Sequence, residues 1–338
     1  METKTCERCQ KTAKVHVPYG PHWFCAEHFN HFFENRFRET IRKHNLVRYG
    51  EKILIALSGG KDSMVLLHQL HKHFGKQNEL HCLIIDEGIP GYRDKAIRLA
   101  TDYCKQLGVP FTVVSHEKEF GVTNAQVAST LENTTERLGK SVCSYCGTFR
   151  KTLMNKYAKQ LGAQKLATGH NLDDESQSVL MNVFDNDVQK LLSLSPKADH
   201  LSDDLVVPRI KPLYETPEKD IITFASLNEI PHYSDECCPY SYKAKRNDFR
   251  QLLNSFEHKY PGTKHSVLRF LQDIQHAVPA PGKKSQLKPC PECSEPATGV
   301  LCQACQKKKI IRQYVGMKKN KIKVKPIDAL TCNETKGM

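Results

Sequence analysis

The residues best suited to chemistry in this 338-residue chain begin with Ser58-Gly59-Gly60-Lys61-Asp62-Ser63. They follow the apolar run Lys52 to Leu57 and precede the helical pattern Met64, Val65, Leu66, Leu67, Leu70. Strand, glycine turn and helix N-terminus in that order aim backbone N–H groups and the positive end of a helix dipole at an anion, which points to a phosphate. This is not a Walker A loop, because Gly59 and Gly60 are adjacent and Lys61 is followed by Asp62. A carboxylate there would repel a phosphate unless a divalent cation lay between, so Asp62 implies Mg2+ or a pyrophosphate leaving group.

Cysteines form the next constellation. Fourteen of them in a chain with no secretory signal core are expected to be ligands or catalysts rather than disulfides, and a cytoplasmic location follows. Cys6-x2-Cys9 followed by Cys25-x2-His28, and Cys290-x2-Cys293 followed by Cys302-x2-Cys305, each bring two short loops face to face and predict two Zn2+ sites. Cys143-x2-Cys146 opens a helix, where the dipole is expected to lower the thiol pKa. Cys143, Cys146 and one of Cys237 and Cys238 make three thiolates, one fewer than a closed zinc or [4Fe-4S] site requires. Three ligands would leave one iron open to carry a non-protein sulfur. The rival reading is a redox pair in which Cys143 and Cys238 exchange a disulfide or persulfide. Neighbouring side chains on an extended segment point apart, so only one of Cys237 and Cys238 can reach the site, and position favours Cys238. Cys82 and Cys104 have no partner at ligand spacing and read as packing residues.

Thr168-Gly169-His170-Asn171-Leu172-Asp173-Asp174-Glu175 lies at a strand end and a helix start. Its three carboxylates could cap the helix or hold Mg2+ beside phosphates, and Gly169 would allow close backbone approach, which favours the second role.

These segments need elements to position them. Strands are predicted at 52–57, 80–86, 110–114, 164–168 and near 205–210, and helices at 61–74, 93–108, 146–161 and 172–185. The alternation argues for an α/β doubly wound parallel sheet with the ligand outside the carboxyl ends of its strands, where Gly59, Gly60 and Asp86 fall. A helix from about Glu27 to His44 carries Phe29, Phe32, Phe33, Phe37 and Ile41 at helical spacing, a stripe that reads as core rather than as a base-stacking platform. After Pro217 the pattern is helical to about Gln275, then Pro279 to Lys288 reads as a linker.

Lys and Arg exceed Asp and Glu by 50 to 37, a formal charge of +13, which favours a polyanionic partner. Two zinc-thiolate sites would lower it to about +10. Lys307, Lys308, Lys309, Arg312, Lys318, Lys319, Lys321, Lys323 and Lys325 fall in one stretch without an acidic residue, read either as a solvated tail or as an RNA contact. No apolar run is long enough to span a membrane.

Ser58 to Ser63 resembles the signature of the PP-loop ATP pyrophosphatases, which have an adenine nucleotide alpha hydrolase-like fold. With Pro90-Gly-Tyr-Arg-Asp94, Cys143-x2-Cys146-Gly147, Thr168 to Glu175, Cys238-Pro-Tyr240 and both metal quartets, the chain is similar, from Cys6 to about Tyr314, to the PP-loop tRNA 2-thiouridine synthetases of the TtuA/TtcA type that carry two zinc modules. The resemblance implies [4Fe-4S]-dependent 2-thiolation of a tRNA pyrimidine, with ATP over Ser58, Gly59, Gly60, Ser63 and Leu57, Mg2+ held partly by Asp62, and adenine near Ala56 and Ile84, with Asp86 close by. It also implies Arg150, with Lys151, balancing charge on the α-phosphate, Gly169 beside the nucleotide, and Asp174 acting on the nucleotide or a proton. Sulfur would come from a ubiquitin-like protein thiocarboxylate or from sulfide, and homodimerisation is expected by resemblance alone. Positions 34, 54 and 32 of the tRNA stay open as targets, although paired zinc modules argue against the cytidine enzymes. A rival from another class is a non-catalytic, zinc-dependent RNA-binding protein, for which the loop carboxylates and cysteine triad would be dispensable.

The expected organisation is therefore a zinc module of three cysteines and one histidine at 1–30, the PP-loop domain with its leading helix at 31–215, a helical appendage carrying the third cluster cysteine at 216–278, a linker at 279–288, a four-cysteine zinc module at 289–306 and a basic tail at 307–338.

Overall fold

The computed structural model describes residues 4–134, 141–198, 204–234, 238–241, 244–278 and 287–317. In chain order the elements are β1 (Val15–Val17), β2 (His22–Phe24), α1 (Ala26–Lys43), β3 (Lys52–Ala56), α2 (Lys61–Phe74), β4 (Glu79–Asp86), α3 (Arg93–Leu107), β5 (Phe111–Ser115), α4 (His116–Phe120), α5 (Asn124–Glu132) and α6 (Val142–Gln160). They continue with β6 (Lys165–Ala167), α7 (Leu172–Phe184), α8 (Val188–Leu192), β7 (Arg209–Ile210), α9 (Glu218–Leu227), α10 (Arg246–Lys259), α11 (Thr263–Ala277), β8 (Lys288–Pro289), β9 (Pro296–Ala297) and α12 (Gln303–Met317).

The central sheet has the order β5-β4-β3-β6-β7 and every pairing in it is parallel. The chain winds outward from β3 through β4 to β5, then returns to the other side of β3 for β6. The crevice between β3 and β6 is therefore the topological switch point, where ligands bind in such sheets.

Strand periodicity sorts the two cores. Ile53, Ile55 and Leu57 of β3 and its end, with Leu80, Cys82 and Ile84 of β4, pack on one face against Phe29, Phe33 and Phe37 of α1 and against α2, α3 and α9. Leu54, Leu83 and Ile85 face the other way, onto Tyr145, Phe149 and Leu153 of α6. The N-terminal module shares the first core through Cys6, Val17, Phe24 and Cys25, and the C-terminal module shares the second through Cys290, Ala297, Cys302 and Ile311. The α1 phenylalanines are thus core, as their spacing predicts, and Cys82 and Cys104 are fully buried beside each other in the same packing.

Several elements differ from the sequence reading. Helix α6 starts at Val142 with Ser141 as N-cap, four residues earlier than the predicted 146, so both Cys143 and Cys146 lie in its first turns. The stretch from 216 to 278 is less an appendage than part of the body: α9 joins the core under α1 and α2, and α11 packs on α7 through Leu268 and Leu271. Part of the expected basic tail is helix α12. Its Lys307 is buried and donates to the Ser144 carbonyl at 2.5 Å and Thr148 Oγ1 at 2.6 Å, while Lys309 pairs with Glu292. Cys237, Cys332, most of the linker and residues beyond 317 lie outside the described residues. Among the described residues no helix is long and apolar enough to cross a membrane.

Glu215 ties α1 to the segment leading into α9: it accepts from Lys43 Nζ at 2.6 Å and from His44 Nε2 at 3.0 Å. Burial alone would raise its pKa, but these two donors outweigh burial and pull it from 4.5 down to about 2. A carboxylate held below its unfolded value stabilises the fold above pH 4.5 and loses that contribution as pH falls toward 2. Thermal unfolding of Glu215→Gln is therefore expected to show a loss of about 1–3 kcal/mol at neutral pH and a flatter acid limb than the parent. Parallel acid limbs would refute this.

Candidate active site and metal centres

The glycine loop closes on itself around two serines. Ser63 Oγ accepts from Ser58 N at 3.1 Å, donates to the Gly60 carbonyl at 2.9 Å, and lies 3.0 Å from Ser58 Oγ. Gly60 is the N-cap of α2 and no side chain caps that helix, which leaves its first N–H groups for an anion. Gly59 has φ +83°, and a Cβ there would stand 2.4 Å from the Ala96 carbonyl oxygen, so both conformation and space demand glycine. Across the crevice Gly169 abuts the same loop: a Cβ would come within 3.0 Å of the Asp62 and Ser63 backbone. The close backbone approach expected at Gly169 is real, and the loop itself is what it approaches.

Asn171 joins the two sides. Its Nδ2 donates to Asp62 Oδ1 at 2.9 Å, and its Oδ1 accepts from Asp174 N at 3.1 Å as the N-cap of α7. Lys61 turns from the phosphate position toward Asp62 at 3.1 Å and Glu218 at 2.6 Å. The consecutive carboxylates divide in role. Asp173 is buried, accepts from Glu218 N at 2.8 Å and pairs with Lys264, while Glu175 is buried and pairs with Lys211 at 2.8 Å. Asp174 alone stays partly open to the crevice, with Arg246 at 3.3 Å. Burial raises both Asp62 and Asp174, the latter to about 6; Arg246 opposes that rise and Asp62 adds to it. A cation between them would relieve both.

At the end of β4, Arg93 is buried and makes three connections that the sequence did not reveal. It donates to the Ser58 carbonyl at 2.9 Å and to the Ile85 carbonyl at 2.8 Å, and pairs with buried Glu87 at 2.5 Å. Arg93 lies inside the Pro90-to-Asp94 motif, which was the only signal available. Glu87 also faces Arg150 of α6 at 3.7 Å. Partial burial works against the Arg150 charge, but Cys146, Glu87 and Cys238 outweigh it and raise its pKa. Asp86 caps its own turn by accepting from Gly88 N at 2.8 Å. Ile84 has no exposed side chain and Leu57 almost none, so anything they offer a nucleotide is confined to backbone, whereas Ala56 is partly exposed.

The three cysteines lie beside this chain of charges. Tyr233 N donates to the Gly59 carbonyl at 2.9 Å, which pins Tyr233 against the glycine loop. A turn follows, with Ser241 N bonded to the Cys238 carbonyl at 2.9 Å, and the Cys143 thiol donates to the Tyr240 carbonyl at 3.6 Å. Burial raises the Cys238 pKa and Cys143 adds to the rise. The expectation of a lowered thiol pKa fails at Cys146. Burial pushes it up to about 11, with Glu87 and Cys238 adding to the rise and Arg150 opposing it, so desolvation outweighs the helix dipole.

Both terminal quartets fit a metal ion. The ligand atoms of Cys6, Cys9, Cys25 and His28 lie within 4.8 Å of one another, as do those of Cys290, Cys293, Cys302 and Cys305. Cys9 and Cys25 Sγ are 3.8 Å apart, Cys293 and Cys302 Sγ 3.5 Å, and Cys25 Sγ to His28 Nδ1 3.3 Å. A tetrahedron with metal–sulfur bonds of about 2.3 Å has edges of about 3.8 Å, close to these values.

The parallel sheet, the switch-point glycine loop and the facing carboxylates define a nucleotide-binding protein of the PP-loop class, and a PP-loop domain family matches residues 27–256. The chain is 35% identical over 317 residues to the tRNA 2-thiolation protein NcsA of Haloferax volcanii, covering 89% of this chain and 97% of that protein. It is 32% identical over 301 residues to the tRNA-5-methyluridine(54) 2-sulfurtransferase of Pyrococcus horikoshii, covering 89% and 92%. The solved structure of the U34-tRNA thiolase NcsA from Methanococcus maripaludis with its [4Fe-4S] cluster superposes with a TM-score of 0.73 at 28% identity, over 85% of this chain and 93% of that one. The chain belongs to the family of PP-loop tRNA 2-thiolation proteins.

Alanine at position 59 would meet backbone in a left-handed conformation, a strain of about 1–3 kcal/mol. Gly59→Ala is expected to weaken ATP binding by roughly 5- to 150-fold by calorimetry while leaving the circular dichroism spectrum unchanged. Unaltered ATP affinity would show that the loop does not hold the nucleotide.

Proposed function

We propose that this chain is an ATP-dependent tRNA-uridine 2-sulfurtransferase. The observation that carries the reading is the continuous link Ser58–Arg93–Glu87–Arg150, which joins the glycine loop to the helix that bears Cys143 and Cys146. A nucleotide-activating half-site and a sulfur-bearing half-site would then share one crevice.

The uncapped α2 N-terminus, with Ser58, Gly59, Gly60 and Ser63, binds the ATP phosphates, and Asp62 and Asp174 would hold Mg2+, which would supply charge neutralisation there. The C2 oxygen of an extruded uridine attacks the α-phosphate, forming a C2–O–P bond as the bond to pyrophosphate breaks. Arg150 faces the charge developing on the α-phosphate. A [4Fe-4S] cluster bound by Cys143, Cys146 and Cys238 has one iron without a protein ligand and supplies the sulfur-carrying chemistry. Sulfur takes the place of the activated oxygen at C2, and AMP leaves with that oxygen.

Cys6, Cys9, Cys25 and His28, and Cys290, Cys293, Cys302 and Cys305, would each hold a Zn2+, which would supply a fixed tetrahedral cross-link within its module. The sulfur derives from sulfide or from the thiocarboxylate of a ubiquitin-like protein. A cytoplasmic location suits a chain whose cysteines serve as free ligands. Homodimerisation would draw on exposed Val183, Phe184 and Val188.

Anaerobically purified protein should contain about four iron and about two zinc atoms per chain. Cys146→Ala should lose the iron and its absorbance near ~400 nm, keep the zinc and still bind ATP, yet form no thiouridine by nucleoside mass spectrometry. Iron-free protein that thiolates tRNA would sink the cluster, and an active Cys146→Ala would sink the assignment.

A further inference from the structure

We propose that Lys151 and Arg209, with His170 and Lys211 beside them, form a second phosphate site that holds a backbone phosphate of the RNA next to the reacting nucleotide. The RNA identity of the ligand rests on the function proposed above; the site itself rests on the residues. Arg209 opens edge strand β7, opposite Leu166 of β6. Its neighbour Ile210 enters the core under α1 and α2, so strand alternation turns Arg209 to the face covered by α6, which carries Lys151. His170 leaves the end of β6 and Lys211 the end of β7.

What distinguishes these cations is missing neutralisation. Lys211 is matched by Glu175, Arg246 by Asp174, Lys190 by Asp187 and Arg150 by Glu87. Among the described residues neither Lys151 nor Arg209 has a carboxylate, and the Nε of Arg209 is buried without a hydrogen-bond partner. A buried, unpaired guanidinium N–H is costly unless an acceptor arrives. These positive charges also act on one another. Partial desolvation, together with Arg209, Arg150, Lys211 and Lys190, lowers Lys151, and with Lys211, Arg209, Arg246 and Arg150 it lowers His170, although both side chains keep an exposed face. A phosphate offers acceptors to all of them at once.

The glycine loop follows β3, and β7 lies two strand spacings away, roughly 10 Å, so these cations stand to one side of the loop, beyond Arg150. Lys151→Glu alters an exposed side chain, and Arg209→Gln keeps a donor of similar length; both should retain the parental melting temperature. Binding of unmodified tRNA transcript, titrated between about 50 and about 200 mM salt, should weaken about tenfold in either variant, with the salt slope shallower by about 1. ATP affinity of Arg209→Gln, which alters no residue assigned to the nucleotide, should stay within about twofold of the parent. Unchanged tRNA affinity and slope in Lys151→Glu would overturn the site, and lost ATP affinity with intact tRNA binding would assign these cations to the nucleotide instead. Thiolation by the parent protein tests the functional reading separately, so each idea can fail alone.

Discussion

The buried Arg93–Glu87 pair is the constraint on which the rest of the site depends. A guanidinium and a carboxylate removed from water are tolerated only if their remaining hydrogen-bonding capacity is met. Here the Ser58 and Ile85 carbonyls accept from the terminal guanidinium nitrogens, Nε is left to the charge of Glu87, and Arg150 shares the glutamate. Those partners are the end of β3, the end of β4 and helix α6. One buried ion pair therefore fixes the spacing between the phosphate loop and the cysteine helix, and removing either member would leave the other charge stranded. The loop gains a second anchor where Tyr233 N meets the Gly59 carbonyl.

The two terminal modules extend this logic outward. Each is too small for a core of its own, and each contributes to one face of the central sheet. The C-terminal module is locked further by Lys307, whose ammonium reaches the Ser144 carbonyl between Cys143 and Cys146. A residue that looks in sequence like the start of a solvated basic run is thus a contact to the cysteine-bearing turn. This docking links the metal quartet at Cys290 to the geometry of the central cysteines without any direct ligand between them.

Much of this was legible beforehand because it depends on local pattern. The alternation in Lys52 to Leu57, the glycine pair and the period of Met64 to Leu70 are short-range signals, and β3 and α2 fall where they predict. The quartets were legible because ligand spacing is itself local. What was hidden depends on contacts distant in sequence. Arg93 reaching back to Ser58, Lys61 turning to Glu218 and Arg246 meeting Asp174 join residues dozens of positions apart or more. The early start of α6 was hidden because Ser141 and Val142 carry no strong helical period, and the Cys146 pKa because burial is a property of the whole fold.

The carboxylates of α7 show how the fold resolves an ambiguity that local pattern cannot. Successive residues on a helix point about 100° apart, so Asp173, Asp174 and Glu175 cannot all face one metal. Asp173 and Glu175 are each met by a lysine, Lys264 from α11 and Lys211 after β7, and both are sealed from solvent. Those pairs hold α7 between its neighbours. Asp174 is left at the mouth, tied through Asn171 to Asp62 on the far side of the crevice. Two of the three charges serve the scaffold so that the third can stand, partly open and raised toward neutrality, opposite the loop carboxylate. Two such carboxylates repel each other until a cation lies between them, which makes the crevice electrostatically suited to a divalent ion and the phosphates it accompanies.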